Sequence, residues 1–132
     1  LSLIKVLEFL GHANPFNKGG AYCTRLTGTG IGWCSEAYHN LHPTAQAIID
    51  AHEDIHGRQN PFVTTHAQRE VEAWTDTLSR CVLWLAQNEY DADGRLNTSK
   101  EWQDVNMLRI EAEAWLPYFQ SVVAGNPIPK PI

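Results

Sequence analysis

Apolar residues recur at helical spacing along three long stretches of this chain. In the first, Ala45, Ile49, His52 and His56 fall on one narrow stripe at ~100° per residue, with Ile48 at its edge. Asp50, Glu53 and Asp54 lie outside the centre of that stripe. In the second, Ala67, Val71, Trp74, Leu78, Cys81, Val82 and Leu85 share a face. In the third, Trp102, Trp115 and Phe119 keep helical spacing with Val105, Leu108 and Ala112, and read as core.

Start and stop signals frame these stretches. Pro43 opens a helix over 44–57, and the run Gly57-Arg58-Gln59-Asn60-Pro61-Phe62 breaks it. Thr65 followed by Gln68 resembles a capping box and starts a long helix to about residue 90. Asp91-Ala92-Asp93-Gly94 turns the chain. Thr98 followed by Glu101 is a second capping box, for a helix over 99–124 ended by Gly125 and kinked or split at Pro117. A short helix is expected over 1–10, ended by Gly11. Residues 11–40 are rich in Gly, Pro and Asn, with room for a short hairpin or irregular strands. The tail, Asn126 to Ile132, with three prolines, is extended. The expected fold is mainly α, with α+β as the variant, in a single domain over 1–132 with an irregular N-terminal third.

Composition narrows the function. Hydrophobic residues make up 43 % and charged ones 19 %, as in a globular domain. Net charge is −5 with no run of Lys or Arg, which argues against nucleic acid or anionic membrane as partner. No apolar run approaches the ~20 residues needed to span a bilayer. The N-terminal Leu-Ser-Leu-Ile-Lys stretch has no basic start and no small-residue cleavage site, so it does not read as a signal peptide. With no initiator Met, the chain is expected to be a processed product or a domain of something longer, and localisation is not legible. Cys23 and Cys34 flank a Gly-rich loop that a disulfide could close, and Cys81 is expected as a buried thiol. Gly28-Thr29-Gly30-Ile31-Gly32 lacks the Lys-Ser/Thr ending of a phosphate loop and reads as a flap or turn. Asn97-Thr98-Ser99 matches a glycosylation acceptor that arises readily by chance.

The chemistry concentrates in His52-Glu53-Asp54-Ile55-His56, an H-E-x-x-H. Histidines at i and i+4 lie one turn apart on one face, where a tetrahedral Zn²⁺ can bind both imidazoles. Glu53 points about a quarter-turn away and can reach a metal-bound water. The histidines share the apolar stripe and so face inward, where unsatisfied imidazoles would cost ~1–3 kcal/mol each.

A catalytic zinc needs a third protein ligand. The longer H-E-x-x-H-x-x-G-x-x-H pattern would place a histidine at 62, which is Phe62. His66 is available at the start of the next helix. Glu70 lies at the edge of the second stripe, near Ala67 and Trp74, and a carboxylate facing the core needs a partner. Glu72 points away with Arg69 and Asp76, as a solvated residue would. Glu70 is the favoured ligand, with His66 and Glu72 as alternatives.

Ala51-His52-Glu53-Asp54-Ile55-His56-Gly57 followed by Gln68-Arg69-Glu70-Val71-Glu72-Ala73-Trp74 resembles the gluzincin type of zincin metallopeptidase, over about residues 45–85. The resemblance implies that His52, His56 and Glu70 bind Zn²⁺ and that Glu53 is the general base. It also implies a small residue three positions after the glutamate, which Ala73 satisfies, and often a polar one four after, where this chain has Trp74. The short spacing looks like that of compact minimal zincin domains, which occur as toxin or effector modules of large secreted bacterial proteins. A protein or peptide substrate, and a cognate inhibitor or immunity protein, would then be the partners. Zincins often add a Tyr or His donor for the oxyanion, for which Tyr22, Tyr38, His39 and His66 are candidates. A substrate strand would need a β-edge beside the histidine helix, and residues 20–40 are the only place for one.

Three rivals share these residues. One is a non-enzymatic helical module that binds metal for stability or binds another protein. Another is a hydrolase of a non-protein amide such as a cell-wall peptide. The last is a degenerate zincin kept as an interaction domain, which the intact glutamate at Glu53 disfavours.

Overall fold

The computed structural model describes residues 23–25 and 32–131. The helix expected over 1–10, most of the Gly-rich loop, and Tyr22 lie outside the described residues. Two short strands, β1 (Cys23–Arg25) and β2 (Gly32–Cys34), pair antiparallel with Cys23 opposite Cys34. Cys34 is disulfide-bonded, and Cys81 is a free, buried thiol as expected. Four helices follow: α1 (Glu36–His39), α2 (Pro43–Arg58), α3 (His66–Gln87) and α4 (Lys100–Val123). The chain is mainly helical, with α3 packed along α4, α2 lying against both, and β1 against α2. A strand therefore lies against the helix that carries the histidines.

Local signals explain where each helix starts and stops. His42 caps α2, its Nδ1 accepting from the Thr44 N–H at 3.1 Å, with Pro43 inside the first turn. Thr65 and Gln68 form a complete capping box at the start of α3. The second expected box is not formed. Ser99, one residue later than Thr98, caps α4 by accepting from the Trp102 N–H at 3.1 Å. Glu101 is drawn elsewhere: it accepts from the Thr44 hydroxyl at 2.5 Å, while Asp104 accepts from the His42 N–H at 2.8 Å. These two bonds tie the starts of α2 and α4 together.

Helix α3 ends at Gln87, short of residue 90, because Asn88 turns its amide onto the Trp84 carbonyl and Asn97 reaches the Asn88 carbonyl. The turn that follows rests on Asp91, whose Oδ1 accepts from the Asp93 and Arg95 N–H groups, with Gly94 at φ +77. Helix α4 runs unbroken through the exposed Pro117 rather than splitting. It closes at Gly125 (φ +78) with the Gly125 N–H on Val122 and the Asn126 N–H on Ser121, a Schellman ending. The tail folds back along α4: the Ile128 N–H reaches Ser121 Oγ at 3.0 Å, and Lys130 lies 5.8 Å above the Trp115 ring.

The main core joins Tyr38, Ala45, Ile48 and Ile49 with Cys81, Val105 and Leu108. Trp115 and Phe119 are only partly buried and stack on each other near the end of α4, so the aromatic face expected as core is a satellite of it. The inward face of α3 also differs from the expected stripe. Ala67, Glu70, Ala73, Thr77 and Cys81 are buried, whereas Val82 is 50 % exposed. At ~100° per residue this turns the face by roughly 70°, which brings Glu70 from its edge to its centre. Apart from Glu70, the side chains on this face are small.

Candidate metal centre

The inward stripe of α2 carries His52 and His56 into its contact with α3, as the spacing requires. Both are buried, and their rings meet edge-on with centroids 5.0 Å apart. Glu70 enters from the second turn of α3, its position set by the capping box and by the loop after α2. In that loop Thr64 donates to the Asn60 carbonyl at 2.7 Å, and Arg69 donates to the Thr64 carbonyl at 2.7 Å. Glu70 Oε1 then lies 3.0 Å from His56 Nε2, and Oε2 lies 3.9 Å from His52 Nε2. One ligand atom from each of the three residues lies within 4.8 Å of the others. His66 and Glu72, the alternative third ligands, are not part of this group.

The other nitrogen of each ring is already bonded. His52 Nδ1 is 2.9 Å from Thr77 Oγ1, whose own proton goes to the Ala73 carbonyl at 3.1 Å. The Ala73 carbonyl, which can only accept, also faces the His52 ring. The proton of neutral His52 is thereby held on Nδ1, leaving the Nε2 lone pair toward Glu70. His56 Nδ1 is 2.8 Å from Gln59 Oε1. Two imidazole lone pairs and a carboxylate that converge in a dry site repel one another unless a cation lies among them. A metal ion satisfies all three, and this donor set fits Zn²⁺.

Without metal, a proton takes that place on one side. Burial pushes His56 down, but the hydrogen bond and charge of Glu70, with the charge of Glu53, outweigh it and raise the imidazole to about 9. Burial alone would raise Glu70, yet the His56 bond and charge hold its carboxyl well below the ordinary range. His52, lacking so close a partner, is lowered to about 4, chiefly by burial. The Trp74 ring packs edge-on against it at 4.6 Å. Trp74 thus covers the ring with an apolar face, and Thr77, three residues further on, supplies its hydrogen bond.

Glu53 is 7 % exposed, more buried than its place beside the stripe implies. Its charge reaches His56. The candidate oxyanion donors separate. The Tyr38 hydroxyl donates to Asp50 Oδ1 at 2.7 Å, and Asp50 stands roughly 200° around α2 from His52. His39 is exposed, edge-on to Tyr38. His66 begins α3 one turn before Glu70 and feels the charges of Glu70 and His56. It meets Phe119 edge-on and lines an open cavity of about 410 Å³ with Tyr118, Phe119 and Val122.

Sequence reasoning missed Gln59, Thr77 and the burial of Arg69. Thr77 had a signal: it follows Glu70 by seven residues and Ala73 by four, on one helical face. Gln59 had none, because it lies past the periodic part of α2. No helix among the described residues is long and apolar enough to cross a membrane. Compared with known proteins, the chain matches no family model, no curated protein and no solved structure.

Proposed function

We propose that this chain is a zinc-dependent peptide or amide hydrolase of zincin type. The observation that carries the proposal is the convergence of His52 Nε2, His56 Nε2 and the Glu70 carboxylate in a buried site. When bound there, a divalent ion supplies Lewis acidity, polarising a carbonyl and acidifying water. Glu53 is the general base. Its carboxylate accepts a proton as the water oxygen adds to the carbonyl carbon, and returns it to the nitrogen as the C–N bond breaks. His66, on the cavity wall one turn before Glu70, is the candidate donor to the developing oxyanion. Protein or peptide is the substrate class proposed.

The test is hydrolysis of a denatured-protein or mixed-peptide substrate by zinc-loaded protein, beside Glu53→Gln. The expected result is retained zinc and a loss of roughly 10²–10⁴ in rate. A second reading has its own support: the three ligand residues are nine-tenths buried, as in a closed structural site. That reading, a metal-binding module without catalysis, predicts zinc binding and no hydrolysis by either protein.

A further inference from the structure

Gln59 caps the C-terminal end of α2 and is buried between α2 and α3. Its amide makes three bonds of distinct sense. Nε2 donates to the Arg69 carbonyl at 3.0 Å and to Glu72 Oε2 at 3.1 Å. Both of those partners can only accept, since one is a carbonyl and the other a carboxylate. The orientation of the amide is therefore fixed, with Oε1 facing His56 Nδ1 at 2.8 Å. An amide oxygen can only accept, so Nδ1 must carry a proton.

The two ends of this amide act on two different ligands. One end decides which nitrogen of His56 bears the proton. The other grips the backbone of α3 at Arg69, the residue immediately before Glu70. Glu72, exposed and outside the ligand group, acquires a task here that solvent alone would not give it.

We propose that Gln59 is a positioning residue for the candidate metal centre: it holds His56 with its Nε2 lone pair toward the site and sets the register of Glu70 against it. Without this amide, neutral His56 is free to move its proton to Nε2 and donate it to Glu70 at the present 3.0 Å separation. A metal can then displace that proton only by leaving the ring with an Nδ1–H that has lost its acceptor, whereas in wild type Nδ1–H stays on Gln59 Oε1. The inference rests on the metal-site reading for its consequence, but the tautomer is a property of the metal-free chain.

The test compares wild type, Gln59→Leu and Gln59→Glu, with two readouts. The first is the histidine side-chain ¹⁵N spectrum of the metal-free protein, followed upward in pH until the imidazole of His56 is neutral. The second is zinc affinity, from competition of zinc chloride with a chromogenic chelator. Wild type is expected with the proton on Nδ1, and so is Gln59→Glu, whose carboxylate keeps an acceptor for Nδ1–H while its other oxygen gives up the donor bonds to Arg69 and Glu72. Gln59→Leu is expected with the proton on Nε2 and with zinc affinity lowered roughly 10–100-fold. A wild-type proton on Nε2 overturns the proposal, and so does Gln59→Leu that keeps Nδ1–H or binds zinc within about twofold of wild type. If Gln59→Leu does not fold, the wild-type and Gln59→Glu spectra still decide the tautomer. If wild type binds no zinc, the metal reading fails, and the spectra alone uphold or overturn the role of Gln59.

Discussion

Glu70 Oε1 sits 3.0 Å from His56 Nε2, across the contact between the second and third helices. Both groups are buried, so neither relies on bulk water, and each owes its charge state to the other. In Glu70→Ala the forces holding the proton on His56 are reduced to the charge of Glu53 and the Gln59 bond, against the burial that pushes it down. The pKa of His56 is expected to fall from about 9 to below the ordinary 6.5. An NMR titration of its ring protons checks this, and a pKa still near 9 would show that Glu70 is not its partner.

The pH dependence of stability follows from the same groups. His56 is raised from 6.5 to about 9, so its contribution is complete below pH 6.5 and is lost as pH rises through 9. His52 is lowered from 6.5 to about 4, so below pH 6.5 the unfolded chain takes up a proton that the folded chain refuses until about 4. The metal-free protein should therefore lose stability on both sides of near-neutral pH. In the proposed metal site zinc would take the place of the proton on His56, so saturating zinc should remove the alkaline decline. Urea denaturation from pH 5 to 9.5, with and without zinc, measures both limbs. An alkaline decline that persists undiminished with zinc would contradict the shared position.

Thr77→Val keeps the shape of the side chain but removes the acceptor for His52 Nδ1–H. Zinc affinity is expected to fall roughly 10-fold or more, with the helical circular dichroism unchanged. Chelator competition measures it. Equal affinity would mean that the Ala73 carbonyl alone orients the ring.

The start of the last helix offers a cheaper check. Ser99→Ala removes the capping bond to Trp102 and should cost about 1 kcal/mol, whereas Thr98→Ala should be nearly neutral. Denaturant midpoints of the two variants separate them. Equal losses would place the cap at Thr98 after all.

This pair also shows what the chain makes legible. A capping box is a local pattern, and Thr65 with Gln68 forms one, each side chain accepting from the other residue's N–H. Thr98 with Glu101 fits the same pattern, but Thr44, distant in sequence, takes the Glu101 carboxylate. The inward facing of His52, His56 and Glu70 was readable from helical phase, since the period of an α-helix fixes which residues share a face. The centring of Glu70 was not, because Trp74, Leu78 and Val82 drew the expected stripe toward bulk, whereas the face that is buried also takes in the smaller Ala73 and Thr77. Gln59 was invisible for a deeper reason. Its partners, Arg69 and Glu72, become its neighbours only once the loop of residues 59–64 has folded back.

The central claim, that His52, His56 and Glu70 hold one metal ion, is tested most directly by elemental mass spectrometry. Wild type, His56→Ala and Glu70→Ala are each loaded with zinc and passed through a desalting column. The account predicts about one zinc per chain in wild type and well under a tenth of that in either variant. Wild type that retains no zinc, or variants that retain as much as wild type, would contradict it.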